Sequence, residues 1–268
     1  ATYAAITGEY EEFENLCFVD TLDNTEGLQK HAGHVDDMFG TMSAENVARI
    51  RRQNIKRISV VIGNPPYNAN QLNENENNKN REYPEIDKRI KDTYISASTA
   101  RKTKLYDMYA RFLRWASDRV DQNGIIAFVS NSSFVDSRTF DGFRKVVAKD
   151  FNEIRIVDLK GNARTSGERR RQEGGNIFDD QIRVGVAVYF LMRKKGVKGC
   201  RIFYEAVRDY AKSDEKREFL TSKRLPERDF EEISPDRNGN WINLAHTDFD
   251  SLIPLLDPET KSTDKTSR

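Results

Sequence analysis

Cysteine and histidine are scarce in this chain, with two and three among 268 residues. That excludes a disulfide-framed secreted scaffold. Cys17 and Cys200 each sit in a short apolar run, which predicts reduced, buried thiols and a cytoplasmic setting. His31 and His34 have ligand-like spacing with Asp36 and Asp37, but nothing completes a closed ligand set, so no metal is expected. Long apolar runs are lacking as well. None approaches the roughly 18 residues of a membrane helix, and no basic-then-apolar leader opens the chain. Net charge is the last scarcity: 44 Lys and Arg against 43 Asp and Glu leave +1. A chain so balanced has no overall field to steer it onto nucleic acid, and any such contact must come from local basic patches.

What is present is a core with an expected large polar surface. Apolar residues make up 37% and charged residues 32% of the chain, enough for one large domain, with or without a smaller attachment. The chain opens on Ala1 and closes on the polar stretch Lys261 to Arg268, so it is expected to be part of something longer. Short β-branched runs alternate with helical stretches, the pattern of a parallel-sheet α/β fold. The predicted strands are Leu16 to Val19, Ile58 to Ile62, Ile125 to Ser130, Ile154 to Leu159, Val184 to Met192 and Arg201 to Tyr204. The fifth is long and nearly all apolar, which predicts a central position. Ser43 is placed to cap a helix in the charged stretch before Asn54. The clearest helix is Leu105 to Val120, with Leu105, Met108, Tyr109, Phe112, Ala116 and Val120 on one face and Gly124 expected to stop it. Two segments break the rhythm: a long polar insertion from Asn68 to Thr103, and a Gly- and Arg-rich loop from Gly161 to Gly175. Loops of such length are functional or disordered more often than not. Beyond about residue 205 the pattern turns charged and helical. The expected organisation is therefore 1–205 as the main domain and 206–268 as a connector or the start of another.

The strand Ile58 to Ile62 runs into Gly63-Asn64-Pro65-Pro66-Tyr67. Ligands of open α/β sheets sit just beyond the carboxyl ends of strands, so this is where a site belongs. The residue types suit chemistry on an exocyclic amine, whose lone pair is delocalised into its ring. Two acceptors aimed at the amine hydrogens, the Asn64 side-chain oxygen and the Pro65 carbonyl, would localise that lone pair without a strong base. Pro66 holds Pro65 extended and so fixes the direction of its carbonyl. Tyr67 offers a face on which a base stacks, typically worth about 1–3 kcal/mol.

This motif resembles the signature of S-adenosylmethionine-dependent amino-methyltransferases, above all DNA adenine-N6 methyltransferases. The blocks Gly63 to Tyr83, Leu105 to Asp118, Gly124 to Phe134 and Gly161 to Phe178 resemble the methyltransferase region of Type ISP single-polypeptide restriction-modification enzymes. The resemblance implies a Rossmann-like S-adenosylmethionine-dependent methyltransferase sheet and double-stranded DNA as partner. It also implies nuclease, translocase and target-recognition domains elsewhere on the same polypeptide. Carried over position by position, it makes Asn64, Pro65, Pro66 and Tyr67 the catalytic loop. Asp20 matches the strand-end acid that receives the adenine amino group of S-adenosylmethionine, and Tyr106 a contact from the helix flanking the cofactor. Phe178 matches the aromatic that faces Tyr67 across a flipped target base.

Lys79, Arg81, Arg164, Arg169 and Arg170 are candidate phosphate contacts, diluted by neighbouring Glu74, Glu76, Glu82, Glu168 and Glu173. One family element is not found: the glycine-rich loop that grips the methionine end of the cofactor. Gly8 stands alone and the other glycine clusters follow the catalytic motif, so the first strand and this loop are expected upstream of Ala1. The reading is a DNA adenine-N6 methyltransferase segment that flips its target base. Methylation of a protein glutamine or of RNA, and a non-catalytic DNA-binding module, are the alternatives.

Overall fold

The computed structural model describes residues 6–9, 13, 15–17, 19–22, 44–66, 83–99, 105–178, 182–236 and 238–242. In chain order the elements are α1 (Ala44–Ile55), β1 (Ile58–Gly63), α2 (Pro84–Ile90), which continues into a π-helical turn (Lys91–Ile95), α3 (Met108–Arg119) and β2 (Val120–Asn131). There follow α4 (Ser133–Asp136), α5 (Asp141–Asp150), β3 (Glu153–Asp158), α6 (Gly167–Glu173), β4 (Val186–Arg193), β5 (Arg201–Ala206), α7 (Ser213–Ser222) and β6 (Glu231–Ile233).

Six strands form one sheet in the order β1-β2-β4-β3-β5-β6. β1 is parallel to β2 and β3 to β5, while β4 is antiparallel to both its neighbours β2 and β3, and β6 is antiparallel to β5. The apolar run before Met192 is central, as its composition predicts. The sheet is mixed, however, where a parallel one was expected. The cause is local: β3 leads to β4 through 159–185 without a crossover back to the starting end, so β4 must run the other way. The turn between them consequently lies at the carboxyl ends of β1, β2, β3 and β5.

Alternation along the strands splits the core in two. Val61, Ile126, Phe128, Ile154, Ile156, Tyr189, Leu191 and Ile202 face the larger cluster, which α3 and α5 cover with Tyr109, Leu113, Ala116, Phe143 and Val147. Val157, Leu159 and Val186 face the smaller, with Phe219 and Leu220 of α7 against them. β1 is less well covered: Val60 and Ile62 are 54% and 78% exposed.

Several sequence expectations need correction. The described residues of Leu16 to Val19 form no strand, and Leu16 is exposed. Cys17 is half-buried in irregular chain and donates to Gln53 Oε1 at 3.1 Å. Cys200 is likewise half-buried, with burial pushing its thiol up to about 11. The helix ends at Arg119, before Gly124, which lies inside β2. A Cβ at Gly124 would come 2.8 Å from the Ser59 carbonyl, so this glycine permits close approach to β1 at the irregular register there. Ala110 and Leu113 join the buried face of α3, making it broader than the predicted stripe. The polar insertion is not loop throughout: Ile86, Ile90 and Tyr94 of α2 and its π-helical turn are buried. They recur every fourth residue and form a stripe amid charged neighbours. Residue Ser43, which immediately precedes α1, lies outside the described residues, as do His31 and His34.

The high charge fraction also goes partly inside. Arg144 is 1% exposed, and its guanidinium donates to the carbonyls of Phe134, Ser137 and Gly239 and to Asn240 Oδ1. Arg193 reaches the carbonyls of Ser117, Val120 and Asp150. A planar guanidinium with five donors can saturate several carbonyls left over at element ends. Charge in this chain therefore closes loops as well as coating the surface.

Candidate active site

Two loops converge on the carboxyl edge of the sheet. The first leaves β1. Gly63 pairs with Phe128, and a Cβ there would sit 3.0 Å from the Phe128 ring, so the absent side chain lets the strand end lie flat on that ring. Pro65 is buried while Asn64 and Pro66 are exposed. The Asn64 amide makes no hydrogen bond to another described residue. Neither proline has an N–H to satisfy, and their rings fix φ, so covalent restriction adds to the burial of Pro65 in shaping this segment. Tyr67 lies outside the described residues.

The second loop runs from β3 to β4. It opens with two left-handed residues, Lys160 (φ 54) and Gly161 (φ 91). The Asp158 carboxylate steadies this turn by accepting from Lys160 N at 2.8 Å. Farther on, Asn176 spans the loop neck: its Nδ2 donates to the carbonyls of Gly161 (3.2 Å) and Val184 (2.8 Å), and its Oδ1 accepts from Phe178 N at 3.0 Å. Buried Asn176 thus fixes the backbone that presents Phe178, which is 38% exposed. Ser132 N, just past β2, donates to Gly185 O at 2.9 Å, tying the second loop to the strand beside β1. One strand, β2, separates β1 from β4, so the two strands lie about 10 Å apart.

A cavity of about 440 Å³ opens at the same edge, lined in part by Ser132, Asp158, Asn162, Glu173 and Tyr204. Asp158 accepts from Tyr204 Oη at 2.8 Å. Burial, with Glu173 adding to it, pushes its carboxyl up to about 6. Neither Asn64 nor Asp20 lines this cavity.

The remaining sequence candidates are distributed more widely. Asp20 ends no described strand, contrary to expectation. Its Oδ2 accepts from Tyr83 Oη at 3.1 Å and its Oδ1 from Leu22 N at 3.0 Å. Tyr106, 38% exposed, directly precedes Asp107 at the start of α3. Asp107 accepts from Tyr109 Oη at 2.7 Å, and burial raises both groups. Arg164 is exposed, and its guanidinium makes no hydrogen bond to another described residue. Arg169 pairs with Asp136 at 2.7 Å. Arg170 turns inward and donates to Gly174 O at 2.8 Å. Lys79 and Arg81 lie outside the described residues.

The fit of S-adenosylmethionine rests on donor chemistry. The Asp20 side chain, half-buried and already oriented by a phenol and a backbone N–H, presents acceptor oxygens that suit an adenine amino group. Tyr106, 38% exposed, offers a flat face at the start of α3. Sequence reading did not single out Asn176, Asp107 or Asp158. For Asn176 a signal exists, since the residue directly follows the Gly174-Gly175 pair, two positions before the candidate aromatic.

The model of the Eco57I restriction-modification methylase family matches residues 9–164. Among solved structures the chain is 56% identical to DrdV in a cryoEM DrdV–DNA complex, with TM-score 0.83 over 97% of this chain and 25% of that one. It is 38% identical to a nuclease-deletion mutant of the Type ISP restriction-modification enzyme LlaGI in complex with a DNA substrate mimic, with TM-score 0.81 over 96% of this chain and 23% of that one. For the ATP-dependent Type ISP restriction-modification enzyme LlaBIII bound to DNA, identity is 32% and TM-score 0.80 over 96% of this chain and 17% of that one. The chain thus spans a quarter or less of the length of these relatives. No curated protein matches it. The resemblance to Type ISP enzymes and the methyltransferase-type α/β sheet are both borne out. Because the family match takes in more than half of the chain, including the strand and loop that carry Asn64, the chain belongs to the Eco57I restriction-modification methylase family.

Proposed function

We propose that the chain is the catalytic part of a DNA adenine-N6 methyltransferase within a larger restriction-modification enzyme. One observation carries this reading. The strand order and the reversal at β4 bring the Asn64 loop and the loop presenting Phe178 to one edge of the sheet, with a single strand between them. Tyr67 and Phe178 are the proposed aromatic faces on either side of the base.

The target adenine leaves the duplex at a cost of a few kcal/mol. Asn64 Oδ1 and the Pro65 carbonyl accept its two amine hydrogens and hold the nitrogen with its lone pair directed out of the ring plane. The exposed position of Asn64 and the buried ring of Pro65 suit this division: one acceptor reaches out while the other is held by its anchored ring. When bound, S-adenosylmethionine supplies an electrophilic methyl group, and Asp20 and Tyr106 would hold its adenine end. The proton released from the alkylated amine passes from the Asn64 and Pro65 oxygens' hydrogen bonds to water. Positioning accounts for most of the catalysis. Arg164 and Arg169, with Lys79 and Arg81, are the proposed contacts around the flipped nucleotide, whereas Arg170, turned onto Gly174 O at 2.8 Å, serves the loop itself. Residues 1–205 supply the catalytic part. Residues 206–268 lead toward a target-recognition domain, anchored where β6 joins β5 and Trp241 enters the core.

The test is methyl transfer from labelled S-adenosylmethionine by the full-length enzyme, followed by nucleoside analysis of duplex DNA. Label in N6-methyladenine is the expected result. Label in cytosine, RNA or protein, or none at all, overturns the reading.

A further inference from the structure

The second loop is held from an unexpected side. Lys216 lies in the middle of α7, in a segment whose sequence reads as a solvated charged helix, yet it is 0% exposed. Its ammonium donates to Glu173 O at 2.8 Å and to Gly175 O at 2.5 Å. The next residue, Arg217, reaches Ile177 O at 3.1 Å, and Arg170 holds Gly174 O at 2.8 Å. Four of the five consecutive carbonyls from Glu173 to Ile177 therefore accept from a cationic side chain. The fifth residue, Asn176, is the one whose side chain spans the loop neck. Gly174 is left-handed (φ 65), and a Cβ there would lie 2.1 Å from Ala211 O, so the turn is pressed directly against the segment leading into α7.

Burying an ammonium is expensive unless its protons are all used. Burial pulls Lys216 down to about 8, against the opposing fields of Glu173 and Asp158 and with those of Lys160 and Arg170. A leucine or methionine would fill the same space without that cost. The lysine makes physical sense only for what its protons grip, and they grip the two residues on either side of Gly174. Three residues after Gly175 the chain presents Phe178.

We propose that Lys216 is a positioning residue for target-base capture: from α7 it clamps the Glu173–Gly175 turn and thereby sets the place of Phe178. The inference rests on the methyltransferase reading and deepens it, because α7 belongs to the segment that leads out of the catalytic part. A displacement of that helix on DNA recognition would be felt directly at the base pocket.

The experiment uses the full-length enzyme and a duplex with 2-aminopurine at the target position. Lys216→Met should reduce the fluorescence rise on binding and raise KM for DNA by about tenfold, while duplex affinity and its salt dependence stay at wild-type values. Lys216→Arg, which keeps a cationic donor, should restore part of the signal. In the Phe178→Ala background Lys216→Met should add nothing further, since the two act through one ring. An equal additional loss in that background overturns the proposal, as does an unchanged signal in Lys216→Met. Should Lys216→Met fail to fold, Arg217→Ala takes its place: a smaller loss that vanishes in the Phe178→Ala background supports the clamp, and a loss that persists there refutes it. A wild-type enzyme without any fluorescence rise overturns both this inference and the methyltransferase reading. A normal wild-type rise with an indifferent Lys216 variant overturns this inference alone.

Discussion

The loop after β1 and the loop between β3 and β4 meet at one edge of the sheet but are stiffened differently. Around Asn64 the backbone is restricted by Pro65 and Pro66, and the Asn64 amide engages no other described residue. From Lys160 to Phe178 the restriction comes from hydrogen bonds to carbonyls, made by the loop's own Asn176 and Arg170 and, from α7, by Lys216 and Arg217. Proline rings cost no partners and leave a side chain at liberty to act on a ligand. A carbonyl-gripping network is spread over several elements and can transmit their movements. The chemistry is accordingly proposed for the first loop and the adjustable wall of the pocket for the second.

The largest expected effect follows from that division. Asn64→Ala removes an acceptor proposed to act on the reacting amine, from a side chain that engages no other described residue. Methyl transfer by the full-length enzyme should fall by about 10²–10³-fold, the range seen when one preorganised polar group is deleted from a transition state. Thermal stability and duplex affinity should not move. A parallel loss of DNA binding would mean that Asn64 serves the duplex and not the amine.

Tyr67 comes next. Tyr67→Ala should cost roughly ten- to a hundredfold in kcat/KM, from a stacking contribution of about 1–3 kcal/mol, whereas Tyr67→Phe should remain close to wild type. A damaging Phe substitution would show that the hydroxyl takes part and would break the assignment of a purely stacking face. Phe178→Ala, which removes a ring that is 38% exposed, should be milder. The expected signature is a weaker 2-aminopurine response with an unchanged melting temperature. Unfolding of the Phe178→Ala enzyme would instead make Phe178 a core residue and remove one wall of the proposed pocket.

The first loop was far more legible in the sequence than the second. Asn64-Pro65-Pro66 sits in consecutive positions after a β-branched strand, and local chemistry is enough to read it. The central place of the run ending at Met192 was equally plain, because an uninterrupted apolar stretch demands cover on both faces. Its antiparallel direction was not, since direction depends on where a 27-residue connection, 159–185, ends up, and no residue in it encodes that locally. Lys216 shows the same limit more sharply. A lysine flanked by Glu215 and Arg217 reads as a solvated face, and only the tertiary fold reveals that its partners lie some forty residues away in the chain. The stripe Ile86, Ile90, Tyr94 was readable in principle, but the charge density around it masked its period. Asp20 was proposed by resemblance, and the strand expected before it does not form, because Leu16 to Val19 has the composition of a strand without a neighbouring strand to pair with among the described residues.

The smallest expected effect separates two arginines that the sequence places in a single basic cluster. Arg164 is exposed, while Arg170 is half-buried with its guanidinium on Gly174 O. If Arg164 meets a phosphate, Arg164→Ala should weaken duplex binding evenly across sequences and reduce the slope of log affinity against log salt by about one. Arg170→Ala should leave that slope alone. It removes a donor from the turn that precedes Phe178, and a lost hydrogen bond of a charged group to a half-buried carbonyl costs about 1–3 kcal/mol. Its effect should therefore appear in thermal unfolding and, weakly, in base capture. Salt titrations of the two variants in the full-length enzyme provide the comparison. Equal changes of slope would mean that Arg170 leaves its carbonyl on binding DNA, and the second loop would then be remade by the duplex, not held ready for it.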